Sequence, residues 1–499
     1  MDSRLERLLL DLKADRVSKE EVKRYLRNHQ EQAESPADTP DAERPTELLR
    51  CHPVWRAADG VATERTPGHI VLLAGTPGLA SALLRQEAGT DVRMLRSGAA
   101  GLADRYADLA GQVLTALRRP AGDPDLPATL VQLVCPLSGE EALLSGLIGL
   151  IRSAGLENPR IVPQLVLVDP AVEPDATALR ILACRDRGDD RSVRFRGGVR
   201  EVLHWEELPS PGPTALPWRE GGTYVITGGL GGLGLVFARD LLGSVRNTSV
   251  LLSGRSALDE GRRRLLEGLN RPGARVDYAR LDVADPEGVE AYLAAARREH
   301  GAVHGIIHAA GVLRDGYVVH KTDEELREVL APKTAGALNL DAASKDDALD
   351  FFALFSSTAG VTGNVGQSDY AAANAFLDAF AHHRGELVAR GLRSGRSVSL
   401  DWPLWAEGGM RVDADTERVL REQTGMRALR TELGVGAFHE SLGSDHRQLM
   451  VVEGDAPRLR RTLLRQQATA AGPATVPAAA EGEDPADDEL RDRTIRRLG

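Results

Sequence analysis

The sequence predicts an α/β fold of two lobes, each with a largely parallel sheet between helices. Short apolar runs typical of buried strands alternate with helical stretches along most of the chain. A Pro/Gly-rich stretch at Pro209–Pro217 divides this alternation into two blocks. With 499 residues the chain is long enough for two or three domains with substantial cores.

The first block, residues 46–212, has three strand patterns, one helical stretch and a hairpin. These are HIVLLAG (69–75), TLVQLVC (129–135) and QLVLVD (164–169), then Glu140–Ala154, and VRFRGGVREVLHW (193–205). Gly75-Thr76-Pro77-Gly78 follows the first strand, where a nucleotide-binding lobe carries a fuller glycine motif. We expect a truncated, Rossmann-like structural lobe that binds no nucleotide and supports the second block.

The second block, residues 213–465, is a complete doubly wound pattern. Its strands are predicted at TYVIT (223–227), SVLLS (249–253), VDYARLD (276–282), GIIHAAG (305–311), FFALFSS (351–357), SVSLDW (397–402) and QLMVVE (448–453). Helical stretches separate them. This block is therefore predicted to be the second Rossmann-like lobe.

Both ends of the chain differ from this pattern. Residues 1–29 place Leu5, Leu8, Leu9 and Leu12 at helical spacing, which predicts an amphipathic helical linker, either exposed or packed on a neighbouring domain. Residues 30–45 are a polar, Pro-rich linker, and residues 466–499 are an Ala/Pro-rich linker toward a following domain. We expect the chain to be a piece of a larger, multidomain protein.

Composition excludes several classes of function. The net charge of -11 gives no sign of a nucleic-acid-binding surface. Cys51, Cys135 and Cys184 are far apart, so neither a metal site nor a disulfide framework is indicated. A reducing cytoplasm is the natural location. No apolar run is long enough to cross a membrane, so a soluble protein is expected.

A glycine-rich turn lies between the strand TYVIT and the helical stretch LVFARDLLG. Glycines allow a tight turn and close approach to a pyrophosphate, and a helix N-terminus offers N–H groups. A strand, turn and helix in this order make the motif a strong indicator of a dinucleotide site. The predicted contacts are Thr227, Gly228, Gly229, Leu230, Gly232, Leu233 and Gly234.

The ends of the next strands complete the predicted cofactor site. The second strand ends in Ser253-Gly254-Arg255, where NAD sites usually carry an acid. A guanidinium there suits the 2′-phosphate of NADPH, although a solvated surface arginine is the alternative. The remaining predicted contacts are Asp282, Val283, Ala309, Ala310 and Gly311.

Ser357 and Tyr370, thirteen positions apart, form the arrangement that short-chain dehydrogenases use at a carbonyl oxygen. Ser357 can hold the oxygen and Tyr370 can protonate it. Asn374 stands where most of those enzymes have a lysine, so a cation must come from elsewhere. This block contains Lys321, Lys333 and Lys345, and Lys333 opens a helix expected beside the Ser357 strand.

The motifs TGGLGGLG, HAAGVL, APKTAG, FSSTAG, GQSDYAAANAFLDAF and WAEGGM resemble the ketoreductase domains of modular polyketide synthases, over about residues 48–460. The resemblance implies a catalytic lobe with the short-chain dehydrogenase fold and exchanged lysine and asparagine. It implies a catalytic set of Lys333, Ser357, Tyr370 and Asn374. It also implies Lys333 and Tyr370 as NADPH contacts, Asn374 as a positioner of Lys333 or a water, and an acyl carrier protein as partner.

The resemblance extends to stereochemistry and to a lid. Leu313-Arg314-Asp315 is similar to the Leu-Asp-Asp motif of B-type members, and Thr362 replaces the Trp of A-type members, so Asp315 implies a D-configured 3-hydroxyl. An ordinary loop cap is the alternative for Asp315. The lid residues implied are Trp405, Gly408, Gly409 and Met410; simple packing is the alternative for the tryptophan. Leu156-Glu157-Asn158-Pro159-Arg160 resembles ketoreductases from assembly lines whose acyltransferase acts in trans.

The sequence as a whole therefore predicts an NADPH-dependent reductase of 3-oxoacyl chains carried by an acyl carrier protein. Two rivals remain: a redox-silent epimerising member of the same fold, and a structural or docking module that bridges neighbouring synthase domains.

Overall fold

A computed structural model describes residues 46–58, 66–87, 89–209, 216–409, 417–418, 421–422 and 424–464. The predicted segments 1–29, 30–45 and 466–499, and the predicted lid residue Met410, lie outside the described residues. Among the described helices, none combines the length and the apolar character needed to span a membrane.

The chain forms fifteen described strands. They are β1 (Thr46–Ala57), β2 (Gly68–Leu73), β3 (Asp91–Met94), β4 (Thr129–Pro136), β5 (Ile161–Val168), β6 (Ser192–Arg196), β7 (Val199–Glu207), β8 (Thr223–Thr227), β9 (Ser249–Gly254), β10 (Arg275–Arg280), β11 (Gly305–His308), β12 (Phe351–Ser357), β13 (Arg396–Trp402), β14 (Met426–Arg427) and β15 (Gln448–Asp455).

The described α-helices are α1 (Leu79–Gln86), α2 (Leu102–Gly122), α3 (Ile148–Glu157), α4 (Pro174–Ala183), α5 (Gly232–Ser244), α6 (Glu260–Glu267), α7 (Pro286–His300), α8 (Asp323–Ala343), α9 (Thr358–Thr362), α10 (Ser368–Ala389), α11 (Thr431–Gly443) and α12 (Ala456–Leu459). Short 3₁₀ turns at Glu140–Leu147 and Arg185–Arg187 precede α3 and follow α4, and a π-helical turn, Arg460–Leu464, follows α12.

These strands make one mainly parallel sheet, which confirms the predicted α/β class. The second lobe contributes the order β10-β9-β8-β11-β12-β13-β15, and β1-β7-β6-β5-β4-β2-β3 continues it. Antiparallel pairing is confined, among the pairs described, to β1 with β7, β6 with β7, and β14 with β15. The sheet thus continues across the predicted boundary between residues 212 and 213, and the lobe limits stay a prediction.

Most predicted strands are confirmed, and three strands were missed. The seven strands of the second block correspond to β8, β9, β10, β11, β12, β13 and β15, and the hairpin is β6 and β7. The helix predicted at Glu140–Ala154 is instead a 3₁₀ turn that passes into α3. Strands β1, β3 and β14 were missed because none of them carries a clear apolar run. Pairing with neighbouring strands, rather than an apolar pattern of their own, stabilises them.

Helix α10, which carries Tyr370, packs closely against helices from the first half of the chain. Its residues Ala371, Ala372 and Ala373 are fully buried. Gly149 of α3 lies so close that a Cβ there would be 2.4 Å from the carbonyl carbon of Ala371. The Tyr106 hydroxyl of α2 donates to the carbonyl oxygen of Ala372 at 2.9 Å. Small residues permit this close approach, and the first half of the chain thereby fixes the helix that carries Tyr370.

Candidate active site

Ser357 and Tyr370 meet at the carboxyl edge of the sheet. Ser357 is the last residue of β12, and its Oγ accepts a 3.2 Å hydrogen bond from the backbone N–H of Ala359, which caps α9. Tyr370 lies in the first turn of α10. Both side chains line a cavity of about 1360 Å³. The structure therefore brings the predicted holding donor and the predicted acid to one site.

The surroundings of Tyr370 keep its phenol protonated. Burial raises the pKa of Tyr370 above its ordinary value; Ser357 and Asn374 beside the phenol lower the pKa, and the charge of Asp315 raises it. The balance is upward. A protonated phenol at neutral pH is the form that a proton donor needs.

Lys333 reaches the same cavity from the middle of α8; the prediction that it opens a helix is wrong, because the helix begins at Asp323 with Thr322 as its cap. Its side chain is 4% exposed, its Nζ donates to the carbonyl oxygen of Phe355 at 2.8 Å, and Nζ lies 5.7 Å from the centroid of the Tyr370 ring. Burial lowers the pKa of Lys333 to about 8, and the carboxylate of Asp378 acts in the opposite direction. Gly311, another predicted contact, lies directly beside this side chain. Of the three candidate lysines, Lys333 is the one whose ammonium stands beside the phenol.

Asn374 lies behind the cavity wall rather than in it. The side chain is fully buried, and its Nδ2 donates to the backbone carbonyl oxygen of Tyr370 at 2.7 Å. Its Oδ1 is buried without a hydrogen-bond partner among the described residues. An unpaired buried amide oxygen is costly unless a water or a ligand satisfies it. Asn374 thus presents a buried acceptor atom close to the Tyr370 turn.

The glycine turn forms one wall of the cavity. Gly228, Gly232, Leu233 and Gly234 line it, as does Ala309 at the end of β11. Gly228 has φ +66°, a conformation that side chains rarely adopt, and a Cβ there would be 2.8 Å from the carbonyl oxygen of Ala309. The turn leads directly into the N-terminus of α5. This open cradle of backbone N–H groups suits the pyrophosphate of a dinucleotide.

Other predicted cofactor residues lie behind or beside the turn. Those that do not line the cavity are Thr227, Gly229, Leu230, Ser253, Arg255, Asp282, Val283 and Ala310. Thr227 is fully buried, its Oγ1 lies 2.8 Å from Nδ1 of His308, and it accepts from the N–H of Ala310 at 3.3 Å. Its hydroxyl therefore joins β8 to β11 under the turn. His308, which the sequence analysis passed over, is the buried partner that makes this link.

Arg255 is exposed beside the end of β9, and a second arginine stands next to it. Arg280 ends β10 in register with Gly254, and its Nε donates to the carbonyl oxygen of Arg255 at 3.1 Å. Asp282 is exposed and caps its own turn, accepting from the N–H of Ala284 at 3.0 Å. Arg280 was missed because its neighbour in space, Arg255, is distant in sequence; the parallel register of β9 and β10 was the available signal.

The predicted lid begins in a well-packed aromatic cluster. Trp405 is 3% exposed, with its ring centroid 5.0 Å from that of Trp402 and 5.9 Å from that of Phe237. Beyond it, Gly408 and Gly409 lie on the glycine turn: a Cβ at Gly232 would be 2.1 Å from the carbonyl oxygen of Gly408. Trp405 therefore anchors the segment by packing, and the two glycines bring it onto the cofactor wall.

Asp315 lies on an exposed loop opposite Tyr370. Its Oδ1 accepts a 3.0 Å hydrogen bond from Nε2 of Gln367, a residue that lines the cavity. The side chain of the adjacent Arg314 pairs with Glu328 at 2.5 Å. Asp315 is thus tied to the segment that precedes Tyr370.

A carboxyl pair that the sequence analysis did not single out lies beneath the site. Asp378 accepts from Oγ of Ser399 at 2.7 Å, and Asp401 accepts from Nε2 of Gln448 at 2.9 Å. Both carboxyl groups are buried, and burial followed by the neighbouring Asp378 raises the pKa of Asp401 well above its ordinary value. Burial and mutual repulsion therefore favour a proton on this pair over two buried negative charges. Spacing gave no signal, because helix α10 and strand β13 bring the two residues together only in the fold.

Comparison with known proteins agrees with this geometry. Residues 222–407 match the family described as the KR domain. The chain is 35% identical over 430 residues to polyketide synthase PksN of Bacillus subtilis (strain 168), covering 85% of this chain and 8% of that protein. It is 40% identical over 336 residues to polyketide synthase PksL of the same strain, covering 67% of this chain and 7% of that protein.

A solved structure matches most of the chain. The crystal structure of a ketoreductase domain from the bacillaene assembly line is 35% identical, with a TM-score of 0.80, and the match covers 84% of this chain and 100% of that one. The chain belongs to the ketoreductase domains of modular polyketide synthases. These domains are oxidoreductases of the short-chain dehydrogenase class that use a nicotinamide cofactor. The chain spans less than a tenth of the curated relatives named above.

The ketoreductase assignment accounts for the difference between the two glycine turns. In the second lobe, the turn opens onto the cavity and the N-terminus of α5. In the first lobe, a Cβ at Gly75 would be 3.0 Å from Oε2 of Glu141, so a carboxylate stands at the turn. A carboxylate repels a phosphate. The second turn therefore fits a nicotinamide dinucleotide, whereas the Glu141 carboxylate at the first turn disfavours a phosphate.

Proposed function

We propose that this chain reduces the 3-keto group of a polyketide intermediate, bound to an acyl carrier protein, to a 3-hydroxyl with NADPH. One observation carries the proposal: Ser357, Tyr370 and Lys333 line a single cavity that the glycine turn also lines. The glycine turn would hold the dinucleotide, while Ser357 and Tyr370 would act on the carbonyl oxygen of the substrate in the same cavity. When bound, NADPH supplies the hydride.

Ser357 and Tyr370 divide the work on the carbonyl oxygen. The Ser357 hydroxyl donates to the oxygen and fixes its position, since the serine is already held at the junction of β12 and α9. Tyr370 gives its phenolic proton to the oxygen as negative charge develops there. Burial raises the pKa of Tyr370 and keeps that proton in place until the carbonyl accepts it.

Lys333 and Asn374 support the tyrosine. The Lys333 ammonium, 5.7 Å from the Tyr370 ring, stabilises the phenolate that forms when the proton leaves. We expect it also to bind the ribose hydroxyls. The unpaired Oδ1 of Asn374 is suited to a water that returns a proton to the site. The exchanged lysine and asparagine therefore perform the usual roles from different helices.

Two arginines favour NADPH over NADH. Arg255 and Arg280 stand side by side at the ends of β9 and β10, on the cofactor side of the sheet. Paired guanidinium groups give charge-assisted, forked contacts to a phosphate. Neither Ser253 nor Gly254 offers the carboxylate that accepts from ribose hydroxyls in NAD sites. We assign the 2′-phosphate to these arginines.

Asp315 supports B-type stereochemistry and a D-configured product. It faces the cavity residue Gln367 from the loop opposite Tyr370, so a substrate that passes this pair approaches from one side. Thr362 lines the cavity where the A-type tryptophan would stand. Reduction of a 3-oxoacyl thioester, with chiral separation of the products, tests this directly. Mainly L product would overturn the assignment.

The partners we propose are an acyl carrier protein and the neighbouring domains of a synthase. The curated relatives PksN and PksL are polyketide synthases many times longer than this chain. The segment Leu156–Arg160 supports an assembly line whose acyltransferase acts in trans. In a larger synthase the substrate arrives as a thioester on the carrier arm.

The deciding experiment measures NADPH oxidation with a decalone and with a 3-oxoacyl thioester. We expect turnover of both by the purified chain. No oxidation of NADPH with either ketone, in a chain that still binds NADPH, would favour a redox-silent epimerising domain. No binding of NADPH would favour a structural or docking module. The intact set of Lys333, Ser357 and Tyr370 around one cavity supports the active enzyme.

A further inference from the structure

Two loops meet over the Tyr370 end of the cavity. We call residues 312–321 the Asp315 loop and residues 363–369 the Tyr370 loop. The N–H of Gly316 donates to the carbonyl oxygen of Gly366 at 2.8 Å, and Gln367 donates to Asp315 at 3.0 Å. The position of Asp315 relative to Tyr370 therefore depends on how these two loops are held together.

Glu157 holds both loops from the other half of the molecule. It ends α3, and its Oε2 accepts from the backbone N–H of Val318 at 2.8 Å while its Oε1 accepts from the backbone N–H of Gly366 at 3.0 Å. Each carboxylate oxygen thus takes a donor from a different loop. The end of α3 is itself fixed, because Nδ2 of Asn158 donates to the carbonyl oxygens of Pro120 and Asp123 at 2.9 and 3.1 Å.

Lys321 makes a second link between the same loops. Its side chain is buried, its Nζ lies 2.9 Å from Oδ2 of Asp369, and it donates to the carbonyl oxygen of Arg314. Asp369 is likewise buried, and its Oδ1 accepts from the backbone N–H of Tyr370 at 2.8 Å. One ammonium therefore connects the residue before Asp315 with the residue before Tyr370.

A gain in folding stability does not explain why Lys321 and Asp369 form a buried ion pair. A buried ion pair loses so much hydration that a packed apolar pair is often equally stable. An ion pair does, however, fix geometry, because the ammonium and the carboxylate hold the groups they bind at defined distances and angles. The Lys321–Asp369 pair and the two-loop contact of Glu157 act on the same short stretch of backbone from opposite ends.

We propose that Glu157 and Lys321 are positioning residues that hold the Asp315 loop against the Tyr370 loop, and so set which face of the ketone is presented for reduction. The proposal rests on the function proposed above and adds two residues outside the catalytic set. Glu157 makes the first half of the chain a determinant of stereochemistry as well as a support.

Glu157→Gln is the sharpest test, because glutamine keeps the shape but one of its two ends cannot accept a hydrogen bond. We expect KM for a 3-oxoacyl thioester to rise about tenfold, the loss associated with one hydrogen bond to a charged group, with a smaller change in kcat. The ratio of D to L product should fall by a similar factor. Glu173→Gln removes the charge of an exposed glutamate in the same half of the chain and should change neither quantity.

A second pair of variants separates positioning from folding. Lys321→Met leaves the Asp369 carboxylate buried and unpaired, so the fold itself is at risk; Lys321→Met/Asp369→Asn removes both charges and keeps an acceptor for the Tyr370 N–H. We expect the double variant to unfold in urea near the wild-type midpoint and still to lose D:L selectivity. Wild-type selectivity and KM in both Glu157→Gln and the double variant would overturn the proposal.

The readouts also separate this proposal from the proposed function. A wild-type chain that oxidises no NADPH with any ketone contradicts the proposed function. A wild-type chain that yields mainly L product contradicts only the B-type assignment, because the variants would then lower an L:D ratio instead. A fold-change in the product ratio relative to wild type supports the positioning role in either case.

Discussion

Nδ2 of Asn374 donates a 2.7 Å hydrogen bond to the backbone carbonyl oxygen of Tyr370, one turn earlier in helix α10. Asn374 holds the helix position where most short-chain dehydrogenases have a lysine, and its amide carries no charge. The cation beside the phenol is Lys333 of helix α8, with Nζ 5.7 Å from the ring centroid. The ammonium and the phenol therefore approach each other from two helices, and each predicted role is open to a separate test.

Tyr370→Phe should reduce kcat for a 3-oxoacyl thioester about 10³-fold, because phenylalanine retains the ring and removes the proton donor. Binding of NADPH, followed by fluorescence titration, should change little. The matched control is Tyr317→Phe, at an exposed tyrosine on the neighbouring loop. Turnover of Tyr370→Phe at the wild-type rate would exclude the acid role.

The pH profile should report on Lys333. Burial lowers the pKa of Lys333 from 10.5 to about 8, so in the folded protein the ammonium is lost as pH rises through about 8. Because the charged form stabilises the phenolate, kcat/KM should fall above that pH. Rates from about pH 6 to about pH 10 measure this. Lys333→Arg retains a positive charge that is not lost in this pH range, so the fall in kcat/KM should shift to higher pH. A fall at the same pH as in the wild type would contradict the assignment of the fall to Lys333.

Arg255→Ala and Arg280→Ala should each raise KM for NADPH about tenfold, with little effect on KM for NADH, because each removes a charge-assisted contact to the 2′-phosphate. The measurement is the ratio of kcat/KM for NADPH to that for NADH. Arg271→Ala, at an exposed arginine on the next loop of the same lobe, is the control. An equal loss of kcat/KM with NADPH and with NADH would contradict the assignment of the 2′-phosphate to these arginines.

Gly232→Ala should weaken NADPH binding at least about tenfold, because the added Cβ would lie 2.1 Å from the carbonyl oxygen of Gly408 and must displace either the lid or the glycine turn. Gly243→Ala is a matched control in the same helix, with no atom within 4 Å of the added carbon. This control should be neutral or more stable to unfolding. Unaltered NADPH affinity in Gly232→Ala would show that the lid contact is readily given up.

Asp401→Asn should increase the free energy of unfolding at neutral and higher pH. The folded state raises the pKa of Asp401 above the unfolded value, so wild-type stability declines as pH rises past the ordinary carboxyl range. Asparagine mimics the protonated carboxyl group and removes that decline, so its stabilising effect should be larger at about pH 8 than at about pH 5. Urea unfolding at about pH 5 and pH 8 measures it, with exposed Asp125→Asn as control. A loss of stability at pH 8 would contradict the protonated pair.

Residues whose positions follow from the order of strands and helices along the chain could be predicted from the sequence. The turn from Gly228 to Gly234 follows a strand and opens a helix, and Ser357 ends a strand, so their placement follows from the alternation of strand and helix. Tyr370 was placed at the start of its helix for the same reason. Residues whose partners are distant in sequence were not located. Arg280, His308 and Asp401 belong to this group, because the parallel register and the packing of helices determine their neighbours.

By itself, the sequence determined the α/β class, and it predicted the ketoreductase resemblance, the cofactor turn and Tyr370 as the acid, because each depends on residue types at short, regular spacings. The tertiary structure alone decided how the site is held. Glu157 reaches the backbone of Val318 and Gly366 across more than 150 residues, and Lys321 reaches Asp369 only because two loops are folded together. Contacts of this kind are determined by packing in three dimensions, which residue spacing along the chain does not record.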